Sequence, residues 1–202
     1  MALYFLLRVG EYTKPWTVRH DGKCITATRT NQFVVGNVGF FRDGIISPRT
    51  LSLDVILTED LATLKISNQK NGRMGQTITQ HATDRVMCPV QALVHIVHDI
   101  LSKGGDDETL LWSVKKNTEW VPVESPHMVA AVRDTEKLLK LHLQSIDTNL
   151  FGAHSMRAGG SMALKLHGYD DTTIMKMGQW TSLTFLQYIQ NHIAHLLKDI
   201  YI

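Results

Sequence analysis

Residues 154–189 read HSMRAGGSMALKLHGYDDTTIMKMGQWTSLTFLQYI, and they predict most of the helical part of the chain. Apolar residues recur at helical spacing over 155–167, and Gly168 follows as a natural C-terminal cap. The same spacing predicts a short helix over 172–177 and a last helix from 184 to about 198. We therefore expect the C-terminal part of the chain to consist of helices joined by short turns.

Upstream of this stretch the pattern changes from helical to β-like and back. Apolar spacing and Pro15 predict a helix over 2–14, and β-branched and aromatic residues predict strands after it. The predicted strands cover 24–28, 33–41, 51–57 and a hairpin of 62–67 and 76–81 with a glycine-bearing turn at 69–75. Further helices are expected from Pro89 to the break at 104–108, and over 127–143. The sequence thus predicts one mixed α+β domain over 1–202, mainly α-helical, with a small antiparallel sheet near the N-terminal half.

The composition is that of a soluble globular domain able to bury a core. The chain has 202 residues, of which 44% are hydrophobic, and a formal net charge of +2. So small a charge neither favours nor excludes a nucleic-acid partner. Cys24 and Cys88 lie far apart and the ten histidines include no HExxH, so we expect neither a disulfide framework nor a metal site. No cofactor, membrane span or signal peptide is predicted.

His154 and Arg157 are the first candidates for chemistry. Because they lie three positions apart at a helix start, their side chains project to the same side. An arginine gives a phosphate two parallel hydrogen bonds, and a histidine exchanges a proton near neutral pH. Taken alone, however, an HxxR pair is a weak signal and equally describes the polar surface of a helix N-terminus. The pair indicates a phosphate site only in combination with other motifs.

Four separate motifs occur in the order found in one enzyme family. They are FLLRVGEYT near the N-terminus, LKISNQKNGRMGQTI at the predicted hairpin, HSMRAGGS, and GQW followed by FLQYI. Together they resemble the catalytic domain of the tyrosine recombinase (phage integrase) family. The sequence is most similar to eukaryotic mobile-element (Crypton-like or DIRS-like) or viral members. The resemblance covers nearly the whole chain, and it implies the catalytic-domain fold of that family.

The resemblance implies a set of catalytic residues, with Tyr188 as the nucleophile. Without the family pattern, Tyr188 would be interpreted as a half-buried core residue. Lys70 is the best match to the lysine that the family carries on a hairpin, and Lys65 and Arg73 compete with it. The implied catalytic set is Arg8, Lys70, His154, Arg157, Trp180 and Tyr188, with Glu11 and Gln179 as residues that orient it.

One position of the catalytic set has two candidates. Counting back from Tyr188 places Gln179 where the family usually has histidine or tryptophan, whereas counting forward from Arg157 places Trp180 there. Trp180 is chemically the better candidate, because its indole N–H can donate to a phosphate oxygen. Trp180 as an ordinary core residue is nearly as good an interpretation, and the sequence leaves the choice open.

The implied function is site-specific DNA recombination or integration, by strand cleavage and religation through a 3′-phosphotyrosine intermediate. The implied partner is double-stranded DNA, bound by a homotetramer on paired sites. Without DNA, a monomeric state of the chain is also compatible with the resemblance. The expected location is nuclear in a eukaryote and cytoplasmic otherwise.

Two departures from the family pattern support an alternative function. Arg8 lies so near the first residue that the family's N-terminal core-binding domain is expected to be absent or truncated. The interval from Arg8 to Lys70 is also long, and residues 19–50 are predicted to form an inserted loop or extra strands. The alternative is therefore a recombinase-derived DNA-binding domain that no longer cleaves DNA.

Overall fold

A computed structural model of the chain describes residues 4–13, 17–20, 23–26, 32–66, 75–85, 88–139, 152, 154–183 and 185–186. The chain divides into two compact units. The larger unit is Val9–Met128, and the smaller unit combines Met1–Arg8 with Val129–Ile202. Within the described ranges, no helix is long and apolar enough to cross a membrane.

The larger unit is built around a four-stranded antiparallel sheet. Its strands are β3 (Val38–Arg42), β4 (Ile45–Ser47), β5 (Leu61–Lys65) and β6 (Thr77–His81), in the order β4-β3-β5-β6. Before the sheet come α1 (Val9–Tyr12), the antiparallel pair β1 (Thr17–His20) and β2 (Lys23–Thr26), and a 3-10 turn at Val35–Asn37. A short helix, α2 (Leu53–Ile56), connects β4 to β5.

Alternation of side chains gives this sheet one buried face. Val38 and Phe40 on β3 lie opposite Leu64 and Ala62 on β5, and all four side chains are buried. Because strand residues two apart share a face, this register gathers them on the same side of the sheet. Helix α3 (Pro89–Ser102) packs against β5 and β6. Its buried residues recur at helical spacing, so the apolar stripe of α3 covers the apolar face of the sheet.

A separate two-stranded hairpin follows α3. It consists of β7 (Ser113–Lys116) and β8 (Glu119–Pro122), which pair antiparallel. Asn117 in its turn has a φ of 56°, a left-handed conformation that asparagine tolerates better than most residues. Helix α4 (Ser125–Leu139) comes next.

The described core of the smaller unit lies between two helices. These are α5 (Ser155–Leu166) and α6 (Asp171–Gly178), and Met162, Ile174 and Phe185 form a buried apolar cluster. Gly168 has a φ of 84°, so glycine suits the turn between the helices. Asp170 caps α6 by accepting a hydrogen bond from the backbone N–H of Thr173 at 3.0 Å. The chain therefore reverses sharply within a few residues and brings the two helices into contact.

The mixed helix-and-sheet class predicted from the sequence is confirmed. The small antiparallel sheet lies in the first half of the chain, and β5 and β6 form the predicted hairpin. Helices α5 and α6 lie within one or two residues of their predicted bounds. Four strands, β1 to β4, fall between residues 17 and 47. The predicted helix over 184–198 lies almost wholly outside the described residues.

Two predicted elements are wrong, and one hairpin was missed. The helix expected over 2–14 is reduced to α1, because Leu6 adopts a φ of 47° that no right-handed helix can contain. The strand expected over 51–57 is the single-turn helix α2, which follows Ser52, a residue type favoured just before helices. The β7–β8 hairpin was not predicted, since its turn carries Asn117 without the glycine that marks most two-residue hairpin turns.

Candidate functional site

The candidate site is built on the C-terminal end of α6. This helix ends at Gln179, whose φ of 56° and ψ of 38° are left-handed. The backbone N–H of Trp180 turns back to the carbonyl oxygen of Met175 at 2.9 Å. Because the last carbonyls of a helix have no acceptor role inside it, those of Gly178 and Gln179 are available to other donors. Arginine side chains from two distant parts of the smaller unit donate to them.

Arg8 reaches Gln179 with both terminal nitrogens. Its Nη2 donates to the backbone carbonyl oxygen of Gln179 at 3.0 Å, and its Nη1 donates to the side-chain Oε1 of the same residue at 3.4 Å. The Arg8 side chain is half-buried. These two contacts attach the N-terminal segment to the end of α6 and set the orientation of the guanidinium plane.

Arg157 binds the neighbouring carbonyl from inside the unit. It lies on the first turn of α5, its side chain is buried, and its Nη2 donates to the carbonyl oxygen of Gly178. Its guanidinium carbon lies 4.2 Å from the centre of the Trp180 ring, so the cation also lies against an aromatic face. A buried cation needs such compensation for its lost hydration.

Trp180 is held in turn by Gly178 and Phe185. A β-carbon built on Gly178 would overlap the Trp180 ring, so only glycine allows the ring to lie where it does. The centres of the Trp180 and Phe185 rings are 5.3 Å apart. The contact with Phe185 joins Trp180 to the apolar cluster of the unit. Trp180 therefore packs against the apolar cluster and also lies against the Arg157 guanidinium.

The charge arrangement favours anions. Two guanidinium groups are attached to adjacent residues at the carboxyl end of α6, where the helix dipole is negative and stabilises cations. Two positive charges therefore lie beside one loop, and a guanidinium group is the side chain best suited to bind a phosphate.

His154 lies three positions before Arg157, at the start of α5. It occupies the N-cap position of α5, its carbonyl oxygen accepts from the N–H of Ala158 at 3.0 Å, and its side chain is exposed. An exposed imidazole at that position is accessible to a ligand that approaches from solvent.

The other predicted site residues divide into two groups. Glu11 is buried and lies in α1, in the larger unit. Lys70 and Tyr188 lie outside the described residues, although the chain segment with Lys70 does connect the paired strands β5 and β6. The structure thus brings Arg8, Arg157, Gln179 and Trp180 together.

Sequence reasoning missed two features of the smaller unit. One is that the partners of both arginines are backbone carbonyls. The other is the cap at the start of α6, where Asp170 also accepts from the Thr173 hydroxyl at 2.5 Å. This side-chain bond, followed by the one from the Thr173 backbone, lowers the pKa of Asp170 below its ordinary value. The local sequence DDTT contains a signal for this cap, an aspartate three residues before a threonine N–H.

Comparisons with known proteins add no family assignment. A scan against protein-family models finds no match, and neither does a search of curated proteins. In the described part of the chain, no group of three or more His, Cys, Asp or Glu side chains is placed to hold a metal ion.

Proposed function

We propose that the chain is a DNA strand-transferring enzyme of the tyrosine recombinase kind, which cuts and rejoins DNA through a 3′-phosphotyrosine. The convergence of Arg8 and Arg157 on the adjacent carbonyls of Gly178 and Gln179 supports this most directly. The motif order selects these two arginines, and they lie 149 positions apart in the sequence (157 − 8). Their meeting at one loop is what a shared phosphate ligand requires.

The chemistry explains why two arginines are useful. Attack on the phosphorus atom of a phosphodiester builds negative charge on its non-bridging oxygens, and cations fixed in advance stabilise that charge without reorganising. Arg8 is less buried than Arg157, so we expect it to contact the phosphate first. Arg157, held between Gly178 and Trp180, supplies a second charge whose direction is fixed.

The remaining roles follow from the family resemblance. The Tyr188 oxygen attacks phosphorus and loses its proton with the help of His154, while the bond from phosphorus to the 5′-oxygen breaks. Lys70 gives a proton to the leaving 5′-oxygen. Religation reverses these events when another 5′-hydroxyl attacks the phosphotyrosine. One phosphoester bond is formed for each one broken, so the cycle consumes no energy source.

A nicked suicide substrate tests this proposal. When the short strand beyond the nick diffuses away after cleavage, religation is prevented and the covalent protein–DNA adduct accumulates. We expect the wild-type chain to form this adduct and Tyr188→Phe to form none. Tyr169→Phe is a matched control, because Tyr169 lies in the turn before α6 with its side chain exposed. Absence of any adduct from the wild-type chain on its cognate DNA would refute the enzymatic proposal.

A DNA-binding domain that no longer cleaves is the second candidate, and the burial of Arg157 favours it. With 4% of its surface exposed, Arg157 already has a carbonyl and an aromatic ring as neighbours, as expected of a structural cation. DNA binding without adduct formation, unchanged in Tyr188→Phe, is the result that this candidate predicts.

We further propose double-stranded DNA as the partner, a homotetramer on paired sites as the active assembly, and a nuclear location in a eukaryotic host or a cytoplasmic one otherwise. Phosphate contacts release counterions, so the affinity for DNA should fall steeply as salt rises. A binding titration repeated at several salt concentrations measures that slope, and an affinity independent of salt would contradict phosphate contacts.

A further inference from the structure

Gln179 occupies a backbone conformation that does not suit it. Its φ of 56° lies in the left-handed region, where a residue with a β-carbon is strained. Asp43 and Asn117, two other described residues with positive φ, lie in hairpin turns and are types that tolerate this region. Glycine or asparagine would end α6 at a lower cost. Leu6 has a similar φ of 47° and is explained by apolar packing, so the contacts of the Gln179 side chain decide whether that side chain has a use.

The contacts of Gln179 show what that use is. The residue is buried, with 6% of its surface exposed, and its carbonyl and Oε1 oxygens accept from the two terminal nitrogens of Arg8. The carbonyl contact needs only the turned backbone, which glycine would provide. The Oε1 contact needs a side chain of this length that ends in an acceptor. Together the two contacts hold both terminal nitrogens of the Arg8 guanidinium group at one residue.

We infer that Gln179 is a positioning residue, which orients Arg8 for the transferred phosphate through its side-chain oxygen. This inference rests on the proposed function for its catalytic consequence, but the orientation of Arg8 is measurable without DNA. A guanidinium that is already aligned strengthens its bonds to the transition state, whereas one that rotates freely must first be ordered. Loss of the Gln179 side chain therefore lowers the cleavage rate at saturating DNA more than it lowers DNA affinity.

Gln179→Met is the main test variant, because methionine has a similar length and no amide. Gln91→Met is the matched control, since Gln91 lies exposed on α3 in the larger unit. Gln179→Gly is the second variant. It keeps the backbone carbonyl and relieves the left-handed strain, so it remains informative if Gln179→Met does not fold. Each variant is purified as the full chain.

The first measurement is the NMR signal of the Arg8 guanidinium, assigned by its absence in Arg8→Lys. In Gln179→Met and Gln179→Gly, we expect exchange of the guanidinium protons with water to speed up about fivefold, as for the loss of one hydrogen bond. In Gln91→Met the exchange should match the wild type. Unchanged Arg8 exchange in both Gln179 variants would overturn the inference, whether or not the chain cuts DNA.

The second measurement is adduct formation on the suicide substrate. We expect a rate at saturating DNA that is about tenfold lower in the Gln179 variants, with DNA affinity within about twofold of the wild type. If Tyr188→Phe abolishes the adduct but the Gln179 variants cut at the wild-type rate, the positioning role is wrong and the proposed function stands. If the wild type forms no adduct but Arg8 exchange speeds up as expected, the proposed function fails and the orienting contact stands.

Discussion

Replacing Gly178 with alanine tests the packing that holds the Trp180 ring against Arg157. The three atoms nearest to a β-carbon built on Gly178 all belong to the six-membered part of that ring. Gly178 has ordinary helical geometry, because it is not among the described residues with positive φ. Alanine at a helical position would otherwise stabilise the chain by about 0.5–1 kcal/mol. Any loss of stability in this variant therefore reports on the displaced ring.

The expected loss combines two terms. Forcing a methyl group into filled space costs about 1–3 kcal/mol. Moving the ring also weakens its interaction with Arg157, at 4.2 Å, which is worth about 0.5–2 kcal/mol when partly desolvated. After subtraction of the helical gain, the free energy of unfolding should fall by about 2 kcal/mol, a factor of about 30 in the unfolding equilibrium.

Urea denaturation followed by circular dichroism measures this change without relying on tryptophan fluorescence. The decisive comparison is a double-mutant cycle with Trp180→Ala, which removes the ring that alanine would strike. In that background Gly178→Ala should stabilise the chain by about 0.5–1 kcal/mol, so the two changes should be non-additive by about 2.5–3 kcal/mol. Gly10→Ala is the control, since a β-carbon on Gly10 meets nothing within 4 Å and should be neutral or stabilising. An equal cost of Gly178→Ala with and without the ring would refute the packing argument.

Three further changes test other parts of the structure. Phe40→Ala empties a fully buried position on β3 and should lower the free energy of unfolding by about 3–5 kcal/mol. Urea denaturation measures this change, and a loss below about 1 kcal/mol contradicts the assigned core. Arg157→Lys keeps the charge but loses the planar guanidinium fork, so adduct formation should slow by about 100-fold or more. A rate within about threefold of the wild type argues against a direct role of Arg157 in DNA cleavage. Asp170→Ala removes the cap of α6. Because the pKa of Asp170 is lower in the folded state than its ordinary value of about 3.9, its stabilisation is present above that pH and is lost as the pH falls through the folded-state pKa. The melting temperature of this variant should therefore lie below that of the wild type at pH 7 and approach it in acid.

Elements whose signals are local were predicted well. Helix α5 is followed by Gly168 and α6 is preceded by Asp170, and both residue types mark helix ends by their own chemistry. The β5–β6 hairpin pairs neighbouring segments, so the strand pattern of its residues was enough to predict it. The failures depend on context. Nothing local predicts that Leu6 turns left-handed, since Phe5, Leu6 and Leu7 are all buried and the tertiary structure overrides their helical spacing.

In the candidate site too, some features were predictable from the sequence and others depend on the folded backbone. Motif order identified Arg8, Arg157, Gln179 and Trp180 as a group, and they do lie together. Sequence could not show that the arginines bind main-chain oxygens, because those partners depend on how the backbone turns at residue 179. It also could not show that Gln179 contacts Arg8 whereas Trp180 contacts Arg157.

The smaller unit is discontinuous in sequence, and this has a consequence for how the protein is made. Arg8 precedes Gln179 by 171 positions, and the whole of Val9–Met128 is synthesised between them. At about 5–20 residues per second, the ribosome needs roughly 10–30 seconds to supply the partner of Arg8. The larger unit is continuous and can complete its sheet in that time. The apolar segment around Leu6 belongs to the smaller unit, most of which has not yet been synthesised. A nascent chain released early would therefore carry the sheet but no arginine pair.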